Sequence, residues 1–563
     1  MAASTPPVAP PAPITSRGAK APGLVFTALA AALAVLLIAA LSPSQPPPPP
    51  VAEYAPEAVQ AIKDAPADQT AENGLAGSGQ TGSTTAKQTT TTTAQPAVSK
   101  TSLPPNTARV RRCVGDPPRQ TEDPQSPPCV PYFDGDNGGV THQGVTANSV
   151  RFVIPNGVYT DVQDDLIKFF NTRFEFYGRQ LTLIPAGCFG GTPAEAHNNA
   201  DGFAKNNLFA SLAYCDIKGP TSSYYDELAA KGVVSVDMQP SNRTEKELAA
   251  HDPFEWSYLP TFDKGSAHLG NLACTLNGAN AAHGGPDVRN LPRKFGLFYN
   301  TYSNAPPPDL SYIRAALAEC GIKPVEQAVA IADSSAGGQG VDQNTTQQIQ
   351  SGVLNMHNQN VTSIIVLTHT ETTKQIYAAL EGQQYRPEIM VSTYLFNDED
   401  LVLDTQPADQ AADTFGIRVW NKTVHAADEF WYQAVEDVDP GHNWASQPDV
   451  YYGTRNVYEG LMMLSAGVQL AGPHLTPQSF AAGLIRAKFP NPPHRNNPGK
   501  VTVGPGNHSY MEDAAIIWFN PSQDDADYGT QGGFCYIDAG KRRRLGEYGH
   551  GDPGLFTQPC GRY

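Results

Sequence analysis

Val150-Arg151-Phe152-Val153-Ile154-Pro155 is the stretch on which the fold turns. It is apolar apart from Arg151 and is followed by the loop Asn156–Thr160. Behind the loop Asp161 reads as an N-cap, and Val162, Leu166, Phe169, Phe170, Phe174 and Tyr177 recur at helical spacing. A buried strand that runs into an amphipathic helix is one β-α unit. The unit recurs as strand Leu181–Ala186, helix Ala194–Lys205, strand Leu212–Ile217, helix Tyr224–Lys231 and strand Val233–Met238. Gly232 supplies a left-handed stop between the last two. Repeated β-α units demand parallel pairing, with helices over both faces of the sheet.

The pattern pauses after Met238 and restarts with a helix at Lys264–Leu276. Strand Phe295–Asn300, helix Leu310–Cys320, strand Val325–Ile331, helix Gln343–Asn358, strand Ser363–Thr368, helix Thr372–Gly382 and strand Glu388–Thr393 follow. After strand Phe415–Trp420 come helical patterns at Ala426–Val438 and Asp449–Ala466, then strands Ala514–Asn520 and Phe534–Asp538. The expected fold class is α/β, with two doubly wound parallel-sheet lobes and a chain that crosses between them more than once. Residues 109–262 are expected to form lobe one with an N-terminal disulfide loop, and 263–420 lobe two. Residues 421–500 return helices to lobe one, and 501–563 give lobe two its final strands and a C-terminal tail. The folded part is too long for one ordinary core, which agrees with two lobes.

Ahead of the lobes stands Leu24–Leu41, uncharged and apolar but for Thr27, long enough to span about 27 Å as a helix. Arg17 and Lys20 precede it and the first charge after it is Glu53, so residues 1–23 are expected in the cytoplasm and everything later outside. Residues 24–42 are read as an uncleaved signal anchor. A cleaved signal peptide ending near Ala39, Ala40 or Ser42 is the alternative, which would secrete the protein. Residues 43–108 carry Pro46–Pro50, Thr89–Thr93 and few large apolar side chains, the composition of an extended tether.

The eight cysteines, Cys113, Cys129, Cys188, Cys215, Cys274, Cys320, Cys535 and Cys560, fit an oxidising compartment. They contain no C-x-x-C and no nearby histidine at zinc spacing, so structural disulfides are expected, neighbour pairing in sequence being the simplest of many connectivities. The net charge of −17 argues against nucleic acid as a partner. The one basic run, Lys541–Arg544, reads as a solvated turn.

Several short stretches, taken in order, resemble solute-binding proteins of the branched-chain amino acid type, the type I periplasmic binding proteins. They are Gly144-Val145-Thr146, Gly219-Pro220-Thr221-Ser222-Ser223, Lys231-Gly232-Val233-Val234-Ser235, Gly296–Asn300, Gln384-Tyr385-Arg386-Pro387 and Tyr451-Tyr452-Gly453-Thr454. The prelude Arg119-Gln120-Thr121 through Cys129, with Gly135-Asp136-Asn137-Gly138-Gly139, looks like membrane-tethered actinobacterial members. The likeness spans about residues 140–540. It implies a ligand captured between two lobes for an ABC-type transporter, a permease partner, no cofactor, and a disulfide between Cys188 and Cys215. No lipobox cysteine follows the apolar run, so a protein helix is expected to hold this chain at the membrane.

Ligands of open α/β sheets bind beyond the carboxyl ends of the strands. Asn156, Tyr159, Thr160, Thr221, Ser222, Ser223, Gln239 and Ser241 stand there in lobe one, and Tyr302, His369 and Tyr394 in lobe two. Hydroxyls, amides and rings with little charge suit a small neutral or zwitterionic ligand. By the resemblance, the Thr221–Ser223 and Gln239–Ser241 turns hold an α-carboxylate and amine. Singly, each reads as a turn or cap residue; the constellation carries the expectation. No catalytic residue is expected: there is no Gly-x-Ser-x-Gly and no His-Glu-x-x-His, and the thirteen histidines are scattered. Gly77–Gly82 matches a dinucleotide fingerprint in letters only, and Asp134–Gly138 lacks the carboxylate at position twelve that a calcium loop needs. The expected function is solute capture for amino acid or amide transport. A cell-surface sensor or receptor built on the same clamp is the alternative, and a hydrolase a distant third.

Overall fold

Two sheets account for the strands among the described residues of the computed structural model. The model describes residues 112–561 apart from 156–159, 187–192, 214–221, 239–242, 303–306, 332–340, 442–447 and 525–530. The expected anchor and tether lie outside the described residues. No helix among the described residues is long and apolar enough to cross a membrane.

The first sheet contains β1 (Ser149–Val153), β2 (Gln180–Leu183), β3 (Ala210–Ala213), β4 (Val234–Asp237) and β5 (Glu255–Ser257) in the order β2-β1-β3-β4-β5, all parallel. Helices α1 (Thr160–Arg173), α2 (Pro193–Lys205), α3 (Ser222–Ala230) and α4 (Glu245–Ala250) connect them. Asp161 lies inside the first turn of α1 instead of capping it. Gly232 has the left-handed φ of 74° expected of it, and Val233 N–H returns to Leu228 O. Gly144 is glycine for two reasons: its φ is +72°, and a Cβ there would lie 2.0 Å from Phe209 N.

α4 and β5 fill the apparent pause in the pattern. A capping box starts α4, Thr244 receiving Glu247 N–H while the Glu247 carboxylate receives Thr244 N–H. β5 is wholly buried despite its Glu255, because Arg243 donates to both Glu255 oxygens (2.8 and 2.7 Å) and His251 joins them.

The second sheet runs β12-β11-β10-β9-β8-β6-β7. Its parallel strands are β6 (Phe295–Tyr302), β7 (Val325–Ile331), β8 (Ser363–Leu367), β9 (Glu388–Val391) and β10 (Thr414–Arg418). β11 (Ala514–Asp524) and β12 (Gln531–Tyr536) extend it antiparallel, and β13 (Arg542–Arg543) pairs with β11. Helices α5 (Phe262–Leu276), α6 (Ser311–Glu319), α7 (Gln343–Asn358), α8 (Thr370–Gly382), α9 (Asp400–Leu403) and α10 (Ala408–Ala411) belong to this half of the chain.

After β10 the chain returns to the first sheet. The expected helix at 426–438 is a 3-10 turn, Ala426–Asp428, then extended Glu429, then α11 (Phe430–Glu436). α12 (Pro448–Ala471) packs on α1 and against β3 and β4, and α13 (Pro477–Arg486) packs on α12. α13 was not anticipated from the sequence; its signals are Pro477 at N1 and the Thr476–Ser479 capping box.

The reading of Lys541–Arg544 as solvated is corrected. Arg542 donates to Asp513 Oδ1 (2.8 Å) and to the carbonyls of Trp420 and Val419, and the Arg543 side chain is buried beside Asp538. A charge run in sequence carries no information about a carboxylate waiting at Asp513.

The chain crosses between sheets three times, after β5, after β10 and before β11. Gln125, buried in the N-terminal loop, ties the crossings together. It accepts from Tyr258 OH (2.6 Å) and Asn421 Nδ2 (2.9 Å), donates to Gly499 O (2.8 Å), and its own carbonyl receives Tyr510 OH (2.7 Å). Cys113–Cys129, Cys274–Cys320 and Cys535–Cys560 are bonded, as neighbour pairing anticipates. Cys188 and Cys215 lie outside the described residues.

Candidate ligand cleft

The carboxyl ends of the second sheet's parallel strands present an aromatic edge. Following the strand order, Trp420 stands after β10, Tyr394 after β9, His369 after β8 and Tyr302 at the end of β6. β8 and β9 are buried at every position and carry polar side chains only at their amino ends, Ser363 and Glu388, so on the carboxyl side polar groups appear only where each strand stops.

Tyr302 and His369, expected from sequence, meet. Tyr302 OH lies 2.8 Å from His369 Nε2, with the rings edge to face. Asn300, fully buried, holds His369 in place by accepting its backbone N–H (2.6 Å) and donating to Thr372 Oγ1 (3.3 Å). Burial pushes the His369 pKa down to about 4, so the imidazole is neutral at physiological pH. The pair offers a ligand hydrogen bonding without charge.

Tyr394 stands elsewhere on the edge. Its ring packs on Phe262, centroids 4.8 Å apart, beside a cavity of about 20 Å³ shared with Thr261 and Ser392. That space has room for one water. Of the lobe-one candidates, Asn156, Tyr159, Thr221, Gln239 and Ser241 lie outside the described residues. Thr160, Ser222 and Ser223 open α1 and α3, and their side chains lie outside the described residues too.

The structure adds a group that the sequence reading missed. Arg455 on α12, a helix of the first lobe, lies over the Trp420 ring at 4.4 Å and donates to Glu399 Oε1 at 3.0 Å. Glu399 also faces Arg418 (3.5 Å), which donates to Asp398 O (2.7 Å) and Oδ2 (3.2 Å). All four charged side chains are buried, so each needs its partners. This chain of ions links the helices returned to lobe one with the strand ends of lobe two. Arg418, at the end of β10 and within the otherwise apolar stretch Phe415–Trp420, was the available signal, since a buried arginine requires a carboxylate.

No protein-family model matches the sequence, and no curated protein matches it. Solved structures do match in fold. A fatty acid ABC transporter substrate-binding protein from Thermomonospora curvata is 15% identical, aligned over 77% of this chain and 100% of its own, with a TM-score of 0.50. A solute-binding protein of an ABC transporter from R. palustris, solved with 4-hydroxybenzoate, is 11% identical over 73% of this chain and 100% of its own, with a TM-score of 0.49. A possible leucine/isoleucine/valine-binding protein from Rhodopirellula baltica is 13% identical over 66% and 94%, with a TM-score of 0.45. With one parallel and one mixed sheet and three crossings between them, the chain has the fold of the type I periplasmic binding proteins.

Proposed function

We propose that this chain is an extracytoplasmic solute-binding protein, held at the cell membrane through Leu24–Leu41, that closes two lobes on a small amino acid or amide-like ligand and presents it to an ABC permease. One jaw comprises 109–262 and the helices of 421–500, the other 263–420 and 501–563. The observation that supports this reading best is the neutral Tyr302–His369 pair at adjacent strand ends, polar enough to orient a ligand and free of charge that would need burial. On the facing jaw, the Thr221–Ser223 turn at the start of α3 and the Gln239–Ser241 turn after β4 supply hydroxyls and amides for the ligand's carboxylate and amine. The chain binds and does not turn its ligand over. With its pKa lowered to about 4 by burial, the His369 imidazole is a weak base towards the Tyr302 hydroxyl beside it, which argues against a nucleophile–base pair.

A thermal-shift screen of amino acids and their amides on the purified protein tests this reading. At least one compound is expected to raise the melting temperature. A buried hydroxyl-to-carboxylate hydrogen bond contributes about 1.5–3 kcal/mol. Ser222→Ala combined with Ser223→Ala should therefore weaken the identified ligand at least tenfold by calorimetry while leaving the empty protein's melting temperature nearly unchanged. If no amino acid or amide shifts the melting curve, the ligand class is wrong. If the double variant binds normally, the site lies nearer His369 and Tyr302.

A further inference from the structure

The N-terminal loop closed by Cys113–Cys129 contributes no strand to either sheet, yet its tip is buried as deeply as the core. Gln120, Thr121, Asp123, Gln125 and Ser126 are each 2% exposed or less. Buried polar residues need directed partners, and this tip supplies several of them itself. Ser126 N–H donates to Asp123 O (3.0 Å), Thr121 N–H to Ser126 Oγ (2.9 Å) and Gln125 N–H to Asp123 Oδ1 (2.8 Å). These bonds fix the turn from which the Gln125 side chain projects.

The loop grips lobe one. Gln120 Nε2 donates to Arg173 O at the end of α1, and Asp123 accepts Tyr458 OH (2.9 Å) from α12. Gln469 Nε2, also on α12, donates to Pro128 O (3.1 Å). From that footing Gln125 reaches all three crossings: Tyr258 on the first, Asn421 on the second, and Gly499 and Tyr510 on the third. The crossings also bind one another at this point. Asn421 Oδ1 accepts Gly499 N–H (2.8 Å), Tyr510 N–H donates to Ser257 O (2.7 Å), and the Tyr258 and Tyr510 rings stack with centroids 5.4 Å apart. Apolar packing alone would let the three segments slide past one another. Hydrogen bonds, with their narrow range of length and direction, hold them in one register.

We propose that this loop is a hinge brace: fixed to lobe one, it holds the three crossings in register through Gln125 and so confines the lobes to one axis of closure. The inference rests on the two-lobe reading above and adds to it a positioning residue, Gln125, which acts through the hinge and not on the ligand. With the brace removed each crossing bends by itself, and the lobes of the empty protein sample misaligned arrangements as well as aligned ones.

The test measures the distance between the lobes by pulsed electron spin resonance, on the full chain purified in detergent and without ligand. The spin labels sit on Gln478→Cys in α13 and Leu354→Cys in α7, both exposed positions. The labelled protein with its brace intact is expected to give one narrow distribution. Gln125→Ala should widen it by about half or more. Tyr258→Phe with Tyr510→Phe removes two hub bonds while keeping both rings, and should widen it as well. Each variant is first checked for a native near-ultraviolet circular dichroism spectrum, and should Gln125→Ala fail to fold, the Tyr258, Tyr510 variant takes its place. Cys274→Ser with Cys320→Ser opens a disulfide inside lobe two and should leave the width unchanged. An unchanged width in a folded Gln125→Ala or in the Tyr258, Tyr510 variant would overturn the proposal. Equal widening on opening the lobe-two disulfide would overturn it too, since general loosening would then suffice. No ligand takes part, so a failed ligand screen leaves this result intact, and a failed brace leaves the proposed ligand class standing.

Discussion

Arg293→Ala is expected to lower the unfolding free energy of the folded region by about 3–5 kcal/mol. Arg293, just before β6, grips Glu388 at the start of β9 with two hydrogen bonds of 2.8 Å, and both side chains are almost wholly buried. Arg293 also reaches Leu276 O at the end of α5, and Glu388 receives Ser363 Oγ and His283 N–H. The pair thus joins the amino ends of β6, β8 and β9 to the end of α5, on the side of the sheet opposite the aromatic edge. Truncating Arg293 leaves the Glu388 carboxylate charged in a dry interior, and that orphaned charge is the source of the loss. Arg293→Met with Glu388→Gln should recover most of it, since the amide oxygen can accept the His283 N–H and the Ser363 hydroxyl can turn to accept from the amide N–H, without a charge. Denaturant titration decides the matter, and a single-variant cost below about 1 kcal/mol would contradict the account.

The second large effect is a fall in stability as pH rises from 6.5 to 9. Burial raises Glu459 to about 8 and Asp413 to about 7, so the folded protein keeps protons that the unfolded chain releases near pH 4. Such groups lose stability as pH rises through their folded pKa. His251 is raised to about 9 by Asp226 and Glu255. His508 is also raised to about 9: burial opposes its charge, but Asp252 and Glu245 outweigh burial. A histidine with a raised pKa contributes fully below 6.5, and that contribution is lost as pH climbs through 9. The opposing groups act lower down. His268 and His369, both lowered to about 4 by burial, favour the fold more as pH rises from 4 to 6.5 and then stop. Glu245, lowered to about 2, and Asp552, also about 2, matter only below pH 4.5. Above 6.5 all these remaining contributions have one sign. Melting temperature measured at constant ionic strength should fall by several degrees across that window, and Glu459→Gln should flatten the slope. A melting temperature that held steady or rose would refute the assignment.

The β-α alternation was legible because the buried strands are runs of apolar residues. Val325–Ile331 and Gln343–Asn358 fall where their periodicity puts them. β5 was not legible, since Glu255 and Ser257 make a buried strand look like a loop, and only the tertiary partners Arg243 and His251 explain their burial. Within the site, Tyr302 and His369 could be placed by position alone, as β6 and β8 are neighbours and both residues follow strand ends. The ion chain through Arg455 could not. Arg455 and Glu399 are 56 residues apart, on elements that only the second crossing brings together. The Gln125 hub is a similar case: its partners Tyr258, Asn421, Gly499 and Tyr510 share no local pattern.

The central claim is that a small ligand is held between two lobes that close on it. The hub around Gln125 bonds the three crossings to one another, and under the proposed reading the lobes would rotate about it. Small-angle X-ray scattering of the protein with and without the ligand found by the thermal screen measures this most directly. The account predicts a smaller radius of gyration at saturating ligand, with no such change in the Ser222→Ala, Ser223→Ala variant at the same concentration. An unchanged radius of gyration in the native protein, with binding confirmed by calorimetry in the same sample, would contradict it.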